Sequence, residues 1–412
     1  FAPSRTGQHR VGLQACGLGG NQGLFSSSGR GRLGTHNRPI AMPRLAPLLI
    51  ASTLLAACGY EPPQGDTPYT PTPGMLAVLA ERQAMHAKEP QNLYSGDEQE
   101  VPSLVEAGRA IPNVVGLPAP IIVVSQYNNP IASGAEGPLE ARLYRPNLAK
   151  DTPVIIMFPG GTWATGSLDD AEDSARQLAT RTGWVVVTIR TRLPPDVAFP
   201  GEHDDALAGY RWARAQLRSW GADPTRVVLA GEGPGANLAL STALAARDLA
   251  AAGQPVAVPD YLLLITPWAG TSTSTPSMSE NAGSRPLTRA TARWAQNVYA
   301  SGNLRDPRID LAARTDFAQI PPTLMILAEI DPLRSSAEVL ASRMAAAGVP
   351  VETRLYRGTT YDFFGLGAVV PEAAQAEEDA ARRMRAHFAR AELPVIRGPV
   401  RRPAPSRSRV HR

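Results

Sequence analysis

From about residue 121 to residue 390 the chain alternates short apolar runs with longer stretches of helical periodicity. The runs 153–158, 184–189, 226–230, 261–265 and 322–327 are dominated by Val, Ile and Leu. They are short enough to be strands and apolar enough to be covered on both faces, as in a parallel sheet. Residues 121–125 and 139–144 add two strands, the second alternating apolar and polar as a half-exposed strand does, and 351–356 is a last one. Between the strands, 169–181, 204–219, 236–251, 287–299 and 335–347 carry helical periodicity, and 371–390 closes the domain with a helix. This order predicts an α/β fold with a mostly parallel central sheet and helices on both faces. Helical segments within 75–118, broken near Glu89-Pro90 and Ser103, are too short for a domain and form a small N-terminal cap. The stretch 266–286, rich in Gly, Ser, Thr and Pro, reads as a long loop near the mouth of a pocket, and no internal repeat is present.

The two ends of the chain have a different character. Residues 1–41 contain no acid and no apolar period, which marks an upstream or disordered extension. Met42-Pro43-Arg44, an apolar run to Leu55 and Ala56-Ala57-Cys58 have the pattern of a secretory signal over 42–57, too short to span a bilayer in the mature chain. The ending Leu55-Ala56-Ala57-Cys58 resembles a bacterial lipobox, which implies lipidation of Cys58 and a membrane anchor through its acyl chains. Gly59 after the cysteine resembles the outer-membrane sorting pattern of Gram-negative lipoproteins, so the implied location is the cell envelope, facing the periplasm. Residues 58–74 would be a Pro/Thr/Gly tether, and the basic residues 394–412 a solvated tail with anionic lipid or another polyanion as its sharper target.

Charge and cysteine content narrow the function classes. Five Arg in 1–41, Arg44 and six Arg in 394–412 stand without a single acid, so the formal +4 of the 412 residues becomes about −8 over 45–393. An acidic body does not support nucleic-acid binding. The two cysteines are Cys16, ahead of the signal, and Cys58, leaving the mature domain no disulfide and no cysteine-based metal site. No cofactor or metal motif is present.

Four motifs fall at the carboxyl ends of expected strands, where open parallel sheets bind ligands. These are Phe158-Pro159-Gly160-Gly161-Thr162-Trp163, Gly231-Glu232-Gly233-Pro234-Gly235 opening a helix with Ala236-Asn237, Asp331-Pro332-Leu333-Arg334, and Tyr361-Asp362-Phe363-Phe364. Together with ARLYRP at 141–146 and TRLPPD at 191–196, they resemble the hormone-sensitive-lipase-like branch of the α/β-hydrolases, mostly bacterial esterases and lipases, over 139–388. The resemblance implies an α/β-hydrolase domain over 119–393. It also implies a nucleophile elbow G-x-S-x-G, an H-G-G-G oxyanion segment, and a triad in the order Ser, Asp, His.

Carried over residue by residue, the site is depleted. Gly233 holds the nucleophile position and has no Oγ, so no acyl-enzyme can form there. Tyr361 holds the histidine position, and a phenol is a poor general base near neutrality. Pro234 lacks the N–H that the residue after the nucleophile should donate to an oxyanion, Pro159 replaces the first histidine of H-G-G-G, and Thr162 its last glycine. Asp331 is retained at the triad-acid position, and Gly160 and Gly161 as oxyanion donors. Glycine at 233 relieves the strain of the elbow, and the Tyr361 ring is expected to fill the serine's space, its hydroxyl reaching Asp331 or nearby backbone.

The plainer roles of these residues are a turn for Asp331 and for Gly160-Gly161, and packing for Trp163 and Trp268. His203 and His387 are expected at the surface, His86 is a remote candidate from the cap, and Glu232 is a weak substitute carboxylate. The implied function is a catalytically impaired hydrolase homologue that binds a small acyl or ester-like ligand or a partner; the plant gibberellin receptors, which resemble the same esterases, offer a precedent. The alternatives are an active esterase with rearranged residues, using a water activated by a carboxylate or a nucleophile such as Thr162 or Ser167, and an envelope scaffold without a pocket.

Overall fold

A computed structural model describes residues 68–86, 122–127, 138–146 and 150–392. The extension, the signal with Cys58, the first part of the tether, most of the cap and the basic tail lie outside the described residues.

The fold is an eight-stranded sheet whose strands are, in chain order, β1 (Ile122–Tyr127), β2 (Glu140–Pro146), β3 (Thr152–Phe158), β4 (Val185–Arg190), β5 (Ala222–Glu232), β6 (Tyr261–Ile265), β7 (Thr323–Ile330) and β8 (Val351–Thr360). Their spatial order is β1-β2-β4-β3-β5-β6-β7-β8. The β1–β2 and β2–β4 pairs are antiparallel and all others parallel.

Successive strand residues face opposite sides, and the sequence makes both sides apolar. Val154, Ile156, Val187, Leu229, Leu264 and Met325 belong to one buried cluster; Ile155, Met157, Val186, Val228, Leu263 and Ile326 belong to the other. The first is covered by α3 (Gly201–Gln216), α4 (Pro234–Ala251), α6 (Arg289–Ala300) and α7 (Arg334–Ala346). The second is covered by α2 (Glu172–Thr182), α8 (Pro371–Glu392) and, through Met75 and Val78, α1 (Pro73–His86). Each such Val, Leu or Ile contributes about 1.5–3 kcal/mol by leaving water.

Element boundaries follow local chemistry. Proline at the first position starts α1, α4 and α8, where a missing N–H costs nothing. The Thr288 side chain accepts from Thr291 N to cap α6, and Gly183 at φ 75° closes α2. Two strands run further than their apolar runs predict: β5 reaches Glu232, leaving only Gly233 to turn the chain, and β8 reaches Thr360, delivering Tyr361 to the same edge.

The expected long loop 266–286 is a correction, because it contains a short helix, α5 (Pro276–Glu280). Its placement has a reason in hydrogen bonding. Ser277 Oγ donates to Pro332 O and accepts from Ser335 N, and Asn281 Nδ2 donates to Asp331 O. The segment is therefore docked on the turn that carries Asp331. Of the expected cap, only α1 falls within the described residues.

Candidate active site

Gly233 forms the turn between β5 and α4 at φ 51°, ψ −118°, a backbone conformation that glycine adopts without strain. Its N–H donates to Ile265 O, and its carbonyl accepts from Trp268 N and Ala236 N, fixing the turn against the loop after β6. The flanking glycines are enforced by sterics. A Cβ on Gly231 would lie 2.1 Å from Gly235 O, and one on Gly235 would lie 2.2 Å from Pro159 O and 2.4 Å from Phe158 O. At Gly233 the obstacle is a side chain: a Cβ there would lie 1.9 Å from the Tyr361 hydroxyl.

The Tyr361 hydroxyl thus stands in the space that a side chain at Gly233 would occupy. It donates to Gly161 O at 2.6 Å. Of the two expected partners the hydroxyl takes backbone; among the described residues no hydrogen bond joins it to Asp331. Burial, with Asp362, Asp331 and Glu232 nearby, pushes the phenol well above its ordinary pKa, so it stays neutral. The ring bridges three segments: the elbow, the loop after β3, and its own loop after β8.

That β3 loop is folded on itself. Thr162 N donates to Thr165 O at 3.0 Å, Thr165 N returns a bond to Thr162 O, and the two hydroxyls lie 3.0 Å apart. The Thr162 N–H is therefore already used. Gly161 sits at φ 107°, where a Cβ would strike Thr165 O at 2.3 Å. Pro234 is the first residue of α4, so the donor it lacks is one a helix start leaves unpaired in any case.

Asp331 is buried at the end of β7 and accepts from Leu333 N through Oδ1 at 2.8 Å, the geometry of an Asx turn. Burial raises its pKa to about 7. It serves as turn former at the position of a triad acid.

Trp163 and Trp268 are fully buried beside each other, ring centroids 6.1 Å apart. Trp163 stacks on Tyr299 and on His203. His203 corrects the surface expectation: it is 6% exposed, because its ring is held inside a polar network. Nε2 faces two acceptors, Asn237 Oδ1 and Arg308 O, and so carries the proton, while Nδ1 accepts from Tyr299 Oη at 2.6 Å. Burial lowers its pKa to about 4. A neutral imidazole with both nitrogens engaged is a structural staple, not a substitute base. His387 is half-buried against Tyr261 and Phe388, and the His86 side chain lies outside the described ones.

Neither alternative nucleophile is activated. Thr162 Oγ1 faces Thr165 Oγ1 and Ala164 N. Ser167 Oγ donates to Asp170 Oδ2 at 2.7 Å, but Ser167 N reaches the same oxygen and Asp170 N returns to Ser167 Oγ, which is the reciprocal pattern of a capping turn. Beside it a cavity of about 300 Å³ is lined by Glu140, Arg142, Ser167, Asp169, Arg190 and Asp196, a polar surface unlike an acyl pocket. Among the described residues no cluster of His, Cys, Asp and Glu has the spacing to hold a metal ion, and no helix is long and apolar enough to cross a membrane.

One contact had no signal in the sequence. Arg82 of α1 pairs with Asp362 at 3.0 Å, joining the N-terminal helix to the residue after Tyr361. The partners are 280 positions apart, and nothing local marks either of them.

Comparison with known proteins agrees with this geometry. Residues 155–365 match the α/β-hydrolase fold family. The chain is 32% identical to the esterase LipI of Mycobacterium tuberculosis over 249 residues, which is 59% of this chain and 76% of that protein. It is 31% identical to an ethyl acetate hydrolase of Pseudomonas putida over 242 residues, 57% of this chain and 74% of that one. Among solved structures it is similar to a hyperthermophilic esterase of the archaeon Pyrobaculum calidifontis, with TM-score 0.64 and 27% identity, covering 77% of this chain and 99% of that chain. With strand order and sequence relatives in agreement, the chain belongs to the α/β-hydrolase fold family, on its hormone-sensitive-lipase-like, esterase-related branch.

Proposed function

We propose that this chain is a catalytically silent member of its family, in which the esterase scaffold binds an acyl or ester-like ligand, or a partner, without turning it over. The observation that carries the reading is the Tyr361 hydroxyl, seated where a side chain at Gly233 would be and bonded to Gly161 O. Nucleophile, base and one oxyanion donor are replaced together, and the replacements fit one another sterically. Loss of an oxyanion donor alone costs about 10²–10³ in rate. With the serine and histidine also gone, the activity left on an ester is close to that of water.

The test is hydrolysis of p-nitrophenyl acetate and butyrate, together with labelling by a fluorophosphonate. The expected result is no turnover above buffer and no labelled residue. Robust turnover, or a labelled Ser or Thr, overturns the reading. Thermal shifts with non-hydrolysable short-chain acyl ligands then separate a binder, whose Tm rises, from a scaffold, whose Tm does not.

The envelope location belongs to the same proposal. It is supported by the apolar run before Leu55-Ala56-Ala57-Cys58 and by the Pro-rich stretch after it. A clickable fatty acid fed to expressing bacteria should label the wild-type chain and leave Cys58→Ala unlabelled; equal labelling of both rejects the anchor.

A further inference from the structure

Directly behind the Tyr361 plug lies a second cluster made of its sequence neighbours. Tyr361 is followed by Asp362, Gly233 is preceded by Glu232, and Gly161 is preceded by Gly160. These three neighbours also meet: a Cβ on Gly160 would lie 3.2 Å from Glu232 Cβ, 3.3 Å from Glu232 Oε2 and 3.9 Å from Asp362 Oδ1. Glu232 is 5% exposed, and its Oε1 has no hydrogen-bond partner.

The charged groups packed around Glu232 are mostly carboxylates. The loop before α2 supplies Asp170, bonded to Ser167, and α2 supplies Ser174, whose hydroxyl lies between Phe364 O and Glu232 and is the one neighbour that favours the ionised carboxylate. The loop after β8 supplies Asp362 at a left-handed φ of 64°, and α8 supplies Glu377, which pairs with Arg181. Asp362 is itself paired with Arg82 of α1. A buried carboxylate oxygen without a partner, among carboxylates whose cations are engaged, is tolerated as a neutral acid and is costly as an anion.

We propose that Glu232 is the proton-controlled catch of the plug: protonated, it lets the Gly160 loop and the Asp362 loop close behind Tyr361, and ionised, it drives the two loops apart and breaks the Tyr361–Gly161 bond. The inference rests on the plug described above and deepens it, since it says what opens the occluded site. The direction of the change follows from the burial of Glu232, which raises its pKa to about 8, so the catch releases as pH rises through mildly alkaline values. Asp362, Asp170 and Glu377 act in the same direction by repulsion.

Hydrogen–deuterium exchange of the full chain tests this, read on peptides spanning 159–166 and 361–367 from pH 6 to pH 9.5 after correction for intrinsic exchange. In the wild type, protection of both peptides should fall together by about tenfold or more across that range, while the β6 and β7 strands stay protected. Glu232→Gln, neutral at every pH, should stay protected throughout. Asp362→Asn, which removes one repelling charge, should move the transition to lower pH by half a unit or more. Flat protection in the wild type, a wild-type transition in Glu232→Gln, or an unmoved midpoint in Asp362→Asn overturns the proposal. The Asp362 variant decides alone should Glu232→Gln not fold. The readout is loop opening and not turnover, so discovery of esterase activity would sink the silent-binder reading and leave the catch standing.

Discussion

A glycine where a serine is expected removes only Cβ and Oγ, but the space around Gly233 is filled by a second residue. Because a Cβ there meets the Tyr361 hydroxyl at 1.9 Å, serine cannot simply be put back. Gly233→Ser alone should be inactive on p-nitrophenyl acetate. Overpacking of this kind costs about 1–3 kcal/mol, which lowers Tm by roughly 3–10 °C for a domain of this size. Adding Tyr361→His should recover most of that loss by removing the colliding hydroxyl, and adding Pro234→Ala restores the N–H. Measurable turnover in the triple variant shows that the rest of the pocket is intact; a Gly233→Ser variant as stable as wild type would show that Tyr361 does not occupy the site. Tyr361→Phe isolates the hydroxyl. It keeps the ring and removes one hydrogen bond, so it should cost about 0.5–1.5 kcal/mol in urea unfolding.

The turn from β5 to α4 shows at the level of the element what a sequence can and cannot reveal. Gly231 and Gly235 were legible as an elbow because close backbone approach permits no side chain at either position, and the sequence keeps both. Gly235→Ala should cost about 3 kcal/mol, the upper end of overpacking, since its Cβ would meet two carbonyl oxygens on β3 and its loop. Pro234→Ala should be mild, about 0.4–1 kcal/mol, because proline at the first position of α4 acts mainly by restricting the unfolded chain. Chemical denaturation of the two variants checks the contrast, and equal losses would contradict it. The strands were legible from runs of Val, Ile and Leu whose alternate residues fill opposite clusters. The ends of β5 and β8 were not, since Glu232 and Thr360 are polar residues kept in the sheet by pairing rather than by hydrophobic pattern. His203 was misread as a surface residue for a related reason. Histidine in a polar helix start looks solvated, and only the fold brings Tyr299, Asn237 and Arg308 around it. Arg82–Asp362 and the acids facing Glu232 are tertiary in the same sense.

At the scale of the whole molecule, the buried ionisable groups decide how stability responds to pH, and the sign can be worked out group by group. Burial raises Asp331 to about 7 and Glu232 to about 8, whereas both titrate near 4 in the unfolded chain. Their contribution is whole below that unfolded value and is lost as pH climbs through the folded values, because the unfolded chain gives up protons that the native state retains. His203 works oppositely: lowered to about 4, it favours the native state fully above its unfolded value near 6.5 and loses that contribution as pH falls toward 4. The two effects oppose each other between pH 4 and 6.5, and above 6.5 the carboxylates act without the histidine. Because two carboxylates outweigh one histidine, Tm should therefore decline already between pH 5 and 6.5 and more steeply just above 6.5. Asp331→Asn keeps the oxygen that accepts from Leu333 N and removes the charge. It should be more stable relative to wild type at pH 8 than at pH 5, by at least about 2 °C in Tm. Scanning calorimetry of the two proteins at both pH values checks this. A retained catalytic aspartate held ionised by a partner would leave the difference between Asp331→Asn and wild type nearly unchanged from pH 5 to pH 8, so the same measurement also tells whether the residue still behaves as a triad acid or only as the buried turn that the fold has kept.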